Sequence, residues 1–253
     1  NPVVLACIGA SIRGVEGIEN ELIYVSRPER GLMPLLQIFG KMRKQRPELR
    51  LKVARYYSMY EKNPNVAAIC EQADRAIAAM EGVEYLGNLN KRELYQAIAR
   101  ARLMVYPGVA DFAETGCIAA TEAQAIGTPM VCTDIGALRE TLHPKAGVRI
   151  EGNAWEEAYQ ERFIGACFHL LDDRGAYRDA MIAGFAHVGP YDYRVVAAEW
   201  EARILRTFEE RYAARKADIL RTLVQYDDFR AVREMAREYE PAQEALERYF
   251  KEV

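Results

Sequence analysis

The sequence predicts an α/β fold: a doubly wound, Rossmann-like parallel sheet with a C-terminal helical extension. Three observations carry this. Short apolar runs alternate with amphipathic stretches from Val3 to Ile150, as parallel strands joined by crossover helices require. Glycine or proline closes several of those runs, at Gly9, Gly87 and Pro107. From Ala154 onward the pattern is helical only, and 253 residues are enough to bury a full core.

Val3 to Ile8 reads as a strand between Pro2 and Gly9, and the glycine-spaced, polar segment from Gly9 to Asn20 as a loop. Leu22 to Ser26 is a second strand. It runs into Arg27, Pro28, Glu29, Arg30 and Gly31, then into a helix with Leu32, Leu35, Leu36 and Phe39 on one face, continuing to about Gln45. Strand, basic loop and helix make the first half of a βαβ unit, where ligands collect beyond the strand's carboxyl end. Two arginines there suit a diphosphate, because a planar guanidinium meets two oxygens at once; the alternative is that one of them merely pairs with Glu29. Leu51 to Ala54 is the third strand. Tyr56, Tyr57 and Tyr60 follow it and read as packing residues rather than a base-stacking platform, and Asn65 to Met80 reads as a helix. Val83 to Leu86 is the fourth strand, stopped at Gly87 and Asn88. Asn90 is placed to cap a helix over 91–101, with Glu93 completing a capping box.

Leu103 to Tyr106 is the fifth strand, ended by Pro107, and Gly108 to Ala113 form the loop that delivers Glu114. A helix of small residues is predicted from near Thr115 to Gly127, then a strand at Met130 to Thr133, a turn at Gly136, a helix over 137–142 and a last strand at Gly147 to Ile150. Helices follow over 155–171, 176–187 and 195–212, the second and third separated by Gly189, Pro190 and Tyr191. The tail from Ala217 to Val253 reads as two helices broken at Pro241, and a packed cap is its default role.

Glu114 and Glu122 stand with seven residues between them at the loop-to-helix junction. A helix starting there aims free N–H groups and its positive dipole end above the sheet, which favours a phosphate. Eight helical steps would set the two carboxylates up to ~12 Å apart along the axis, the scale of a nucleotide sugar. Carboxylates accept hydrogen bonds only, so they suit hydroxyl-rich sugar and ribose rather than phosphate. The competing reading is a capped helix with two solvated acids.

A net charge of −3 provides no broad basic field for nucleic acid. No apolar run approaches the ~20 residues of a membrane span, and no signal-peptide succession is present. Cys7, Cys70, Cys117, Cys132 and Cys167 form no CxxC pair and sit among apolar residues, which suggests a thiol-reducing, cytoplasmic setting. His143, His169 and His187 are scattered, so no metal site is expected.

The run from Glu114 through Glu122, Ala123, Gln124, Ala125, Ile126, Gly127, Thr128 and Pro129, followed by Thr133 to Thr141, resembles the donor-binding domain of retaining GT-B glycosyltransferases of family 4. The likeness extends back to Tyr24–Leu32 and Val83–Gly87 and forward to about Tyr212. It implies the C-terminal half of a GT-B fold. Residues 1–190 would then form a nucleotide-sugar domain, 191–215 the helix crossing back toward an N-terminal acceptor domain absent from this sequence, and 216–253 a helical tail. The resemblance further implies transfer of a sugar with retention from a UDP- or GDP-linked donor, with no cofactor and no metal. In that scheme Arg27 and Arg30 hold the diphosphate, Glu114 positions the sugar and Glu122 binds the ribose hydroxyls. Gly31 and the amides of Gly116, Cys117 and Ile118 line the donor, and the backbone near Tyr85, Gly87 and Asn88 meets the base. Three departures stand out: the two basic residues are closer together than usual, arginine replaces the family's lysine there, and Thr115, Gly116 and Cys117 replace the family's Pro-Phe-Gly. A noncatalytic nucleotide-sugar or protein-binding module and a nucleotide-sugar epimerase of the same architecture are the competing functions. The chain begins at Asn1, so it is expected to be a fragment that does not turn over alone.

Overall fold

A computed structural model describes residues 18–54, 64–109, 114–226 and 228–252. The expected strand at Val3–Ile8, the tyrosines at 56–60 and most of the loop before Glu114 lie outside those residues. The chain divides into two compact units, Asn1–Val196 and Ala197–Val253.

In the first unit the strands are β1 (Ile18–Val25), β2 (Arg50–Ala54), β3 (Val83–Gly87), β4 (Ala101–Tyr106), β5 (Met130–Thr133) and β6 (Gly147–Ile150). They form one sheet in the order β3-β2-β1-β4-β5-β6, and every pairing is parallel. Strand β5 is buried along its whole length and β4 nearly so, which is why residues 103–106 and 130–132 are apolar runs rather than alternating ones. The helices are α1 (Leu32–Gln45), α2 (Pro64–Ala78), α3 (Lys91–Arg100), α4 (Ile118–Ile126), α5 (Leu138–Thr141), α6 (Glu157–Asp172) and α7 (Arg174–His187). Helix α1 packs on α2 and α6, while α4 packs on α3, α5 and α7. Right-handed crossovers produce this, because connections running out from β1 and from β4 go in opposite directions and so cover opposite faces.

Local chemistry accounts for the boundaries. Asn90 accepts from the Glu93 N–H and Glu93 from the Asn90 N–H, both at 3.0 Å, so the expected capping box starts α3. Gly127, left-handed at φ 86°, ends α4. Two expectations about the sheet unit need correction. The predicted loop up to Asn20 is already strand from Ile18; Asn20 adopts φ 67° where the β1–β4 register shifts, so a bulge explains the loop-like sequence. Helix α4 starts at Ile118, not near Thr115, because the Glu114 carbonyl accepts from the Ala137 N–H at 2.8 Å and is lost to the helix.

Helix α8 (Tyr193–Gln225) begins in the first unit and belongs to the second from Ala197, joined there by α9 (Phe229–Met235) and α10 (Glu240–Glu252). It runs well past the expected end near Tyr212, since residues 213–217 are strong helix formers. Pro241 does not break a helix; it sits in the first turn of α10, where its missing N–H has no cost. Leu220, Val232, Met235, Ala236 and Ala242 form this unit's own small core.

Gly31 is held at φ 133°, where a Cβ would lie 2.2 Å from the Pro107 carbonyl oxygen. Substitution Gly31→Ala is therefore expected to lower unfolding free energy by about 1–3 kcal/mol in urea denaturation. An unchanged midpoint would show that this contact does not constrain the fold.

Candidate functional site

Strands β1 and β4 are neighbours whose connections leave for opposite faces, so a crevice opens at their carboxyl ends. A cavity of about 720 Å³ occupies it. Its wall is supplied by Val25 at the end of β1 and Ser26, Arg27 and Arg30 after it, by Leu89, Asn90 and Lys91 at the start of α3, by Tyr106 at the end of β4 and Glu114, Gly116 and Cys117 beyond it, and by Ile118, Ala119 and Glu122 of α4.

Glu114 is only 5% exposed and is held at both ends. Its Oε2 accepts from the Tyr106 hydroxyl at 3.0 Å and lies 3.8 Å from Arg30 Nη1, and its Oε1 accepts from the Gly116 N–H at 3.3 Å. Its carbonyl is gripped by the Ala137 N–H, and Gly136, at φ 47°, approaches so closely that a Cβ there would be 2.3 Å from that oxygen. Burial raises the Tyr106 hydroxyl well above the usual phenol range, with Tyr24 and Glu114 adding to it, so Tyr106 stays a donor. Tyr24, raised likewise by burial, donates to the Arg27 carbonyl at 2.7 Å and fixes the basic loop. Thr133 gives its proton to the Gly108 carbonyl at 2.8 Å, leaving Tyr159 to donate to Thr133 at 2.7 Å; this ties the loop after β4 to β5.

Glu122, 3% exposed, accepts at Oε1 from Lys91 Nζ at 2.6 Å and from the Tyr95 hydroxyl at 3.0 Å. Arg27 lines the cavity while its Nε pairs with Glu29 at 3.0 Å. Cys117 occupies the N-cap of α4 without a side-chain cap bond to the backbone. Burial, then Glu114, pushes its thiol up to about 12, so it stays protonated and is no nucleophile at neutral pH. Behind it the first-turn N–H groups of Ile118 and Ala119 have no intrahelical acceptor and sit at the cavity wall.

The structure thus brings Arg27, Arg30, Glu114, Glu122, Gly116, Cys117 and Ile118 to one cavity. It does not bring Gly31, which backs onto Pro107, nor Tyr85, Gly87 and Asn88; the next three residues take that wall instead. Tyr85 stands 40% exposed on the edge strand β3. Tyr106, Lys91 and Tyr95 were not singled out by sequence reasoning. Tyr106 was visible only as the polar-tipped end of an apolar run, and Lys91 and Tyr95 as an i,i+4 pair just inside the capping box. Among the described residues no group of three or more His, Cys, Asp or Glu is placed to hold a metal ion, and no helix is long and apolar enough to cross a membrane.

The family model for glycosyl transferases group 1 matches residues 12–179. A D-inositol 3-phosphate glycosyltransferase from Paenarthrobacter aurescens (strain TC1) is 27% identical over 195 residues, which span 74% of this chain and 44% of that protein. A sucrose-phosphate synthase from Thermosynechococcus elongatus superposes with a TM-score of 0.66 at 17% identity, over 83% of this chain and 52% of the other. An α,α-trehalose-phosphate synthase (UDP-forming) from Burkholderia vietnamiensis gives 0.60 at 15% identity, over 81% and 51%. At such identities the structural likeness shows a shared fold. The chain spans about half the length of these proteins.

Tyr106→Phe leaves the buried Glu114 carboxylate without its closest donor. The substitution is expected to cost about 1–3 kcal/mol of unfolding free energy. Denaturation curves that overlay those of the wild type would mean that this hydrogen bond contributes nothing.

Proposed function

Because the chain belongs to the glycosyl transferases group 1 family, we propose that it is the donor-binding part of a retaining glycosyltransferase that moves a sugar from a nucleotide diphosphate to an acceptor hydroxyl. One observation carries this above the others: two buried carboxylates, two arginines and a helix start share one cavity at the sheet's switch point. Each group suits a different part of such a donor. Arg27, Arg30 and the Ile118 and Ala119 N–H groups meet the charge that grows on the departing diphosphate, which is where preorganised donors lower a barrier. Their presence lets the scheme run without a metal ion. Glu122 accepts the ribose hydroxyls.

Glu114 accepts hydroxyls of the transferred sugar. Both of its oxygens already hold donors and Arg30 stands beside one of them, so it suits an orienting acceptor better than a general base. Leu89 and Asn90 line the wall that the base would reach. Residues 1–190 would act as the donor domain and 191–215 as the crossing helix, with the acceptor held by a further domain. We place the protein in a thiol-reducing, cytoplasmic setting, which the four buried free thiols at Cys70, Cys117, Cys132 and Cys167 support.

Titration calorimetry with UDP, GDP and dTDP tests this. At least one should bind the chain, and the same binding should persist in a metal chelator. Glu122→Ala should weaken it by about 10- to 100-fold, the loss expected for hydrogen bonds to a charged acceptor. Silence with all three nucleotides in the wild type would sink the assignment.

A further inference from the structure

Glu122 does not present both of its oxygens equally. Oε1 holds two donors from the same helix face, Lys91 Nζ at 2.6 Å and the Tyr95 hydroxyl at 3.0 Å. Oε2 has no hydrogen bond within the described residues, yet it is not among the buried polar atoms left without a partner, so it opens on the cavity that Glu122 lines. Lys91 and Tyr95 are one turn apart on α3, and the capping box of Asn90 and Glu93 sets where that helix starts. Lys91 is 64% exposed and contributes little packing, whereas its ammonium end is committed to an acid that is almost wholly buried.

Two donors on one oxygen fix the rotation of the carboxylate before any ligand arrives. The remaining oxygen is then aimed at the cavity, and a ligand with paired hydroxyls pays no ordering cost to meet it. We propose that Lys91 and Tyr95 are positioning residues that give this site its preference for ribose over deoxyribose nucleotides. The inference rests on the assignment of Glu122 to the ribose. A 2′-deoxy ligand leaves an acceptor short of one donor, so discrimination is strong only while the carboxylate is held still.

The test compares UDP and GDP with their 2′-deoxy counterparts by calorimetry on the full 253-residue chain. For whichever base binds, the wild type should favour the ribonucleotide by about tenfold or more. Lys91→Ala should weaken the ribonucleotide by a similar factor and the deoxynucleotide by less than about twofold, abolishing the preference, while Lys91→Arg should restore much of it and Tyr95→Phe should lose part. Equal weakening of both ligands by Lys91→Ala would overturn the proposal and mark Lys91 as a general contact to phosphate. Tighter ribonucleotide binding would overturn it too, since the ammonium would then be competing with the ribose for Glu122. A wild type that binds both ligands equally would instead refute the assignment of Glu122 itself.

Discussion

Much of this site depends on the burial of the Glu114 carboxylate. A buried carboxylate is tolerated only when donors meet it, and here a phenol, a backbone amide and a guanidinium converge on it from three chain segments. Because Tyr106 ends β4 and Arg30 follows β1, satisfying this one acid ties the carboxyl ends of two neighbouring strands together, and the turn after β5 meets the backbone of the same residue. A separate contact of the same residue delays the start of α4, since the Glu114 backbone carbonyl, held by the Ala137 N–H, is no longer available to a helix beginning at Thr115. The first-turn amides of Ile118 and Ala119 thereby come to lie at the cavity wall.

A second set of buried polar contacts holds α4 from behind. Gln124, 1% exposed, donates to the Thr141 and Ala120 carbonyls and accepts from the His143 N–H, tying α4 to α5 and the residues after it. Gly184 of α7 packs directly on Gln124, where a Cβ would lie 3.3 Å away and force a small shift of its neighbour. The small residues of α4 thus permit close approach on every side, which keeps Glu122 at a set depth below the cavity. Membership of the glycosyl transferases group 1 family gives this arrangement its functional meaning, while the physical chemistry explains why the acids stay where they are.

How far the sequence was readable varied with how local each cause was. The alternation of apolar runs and amphipathic stretches, the capping box at Asn90 and the stop at Gly127 are short-range effects, and all were legible. The basic loop and the spaced glutamates were legible as candidates. Lys91 and Tyr95 were not, because what distinguishes them is a bond to Glu122 on another helix, across 31 and 27 residues of sequence. Asn20 misled for the opposite reason: a left-handed residue inside a strand has the composition of a loop.

By itself, then, the sequence determined a parallel α/β layer and the chemical kinds of group placed at its strand ends, because periodicity and turn chemistry are properties of neighbouring residues. Tertiary structure alone decided which of those groups face a common cavity, that Glu114 and Glu122 are buried and bonded rather than solvated, and that Gly31 serves the backbone while Tyr85 stays on the sheet's edge. The reason is that burial and pairing arise between segments far apart in the chain, and no local pattern of residues records which distant donor an acid will meet.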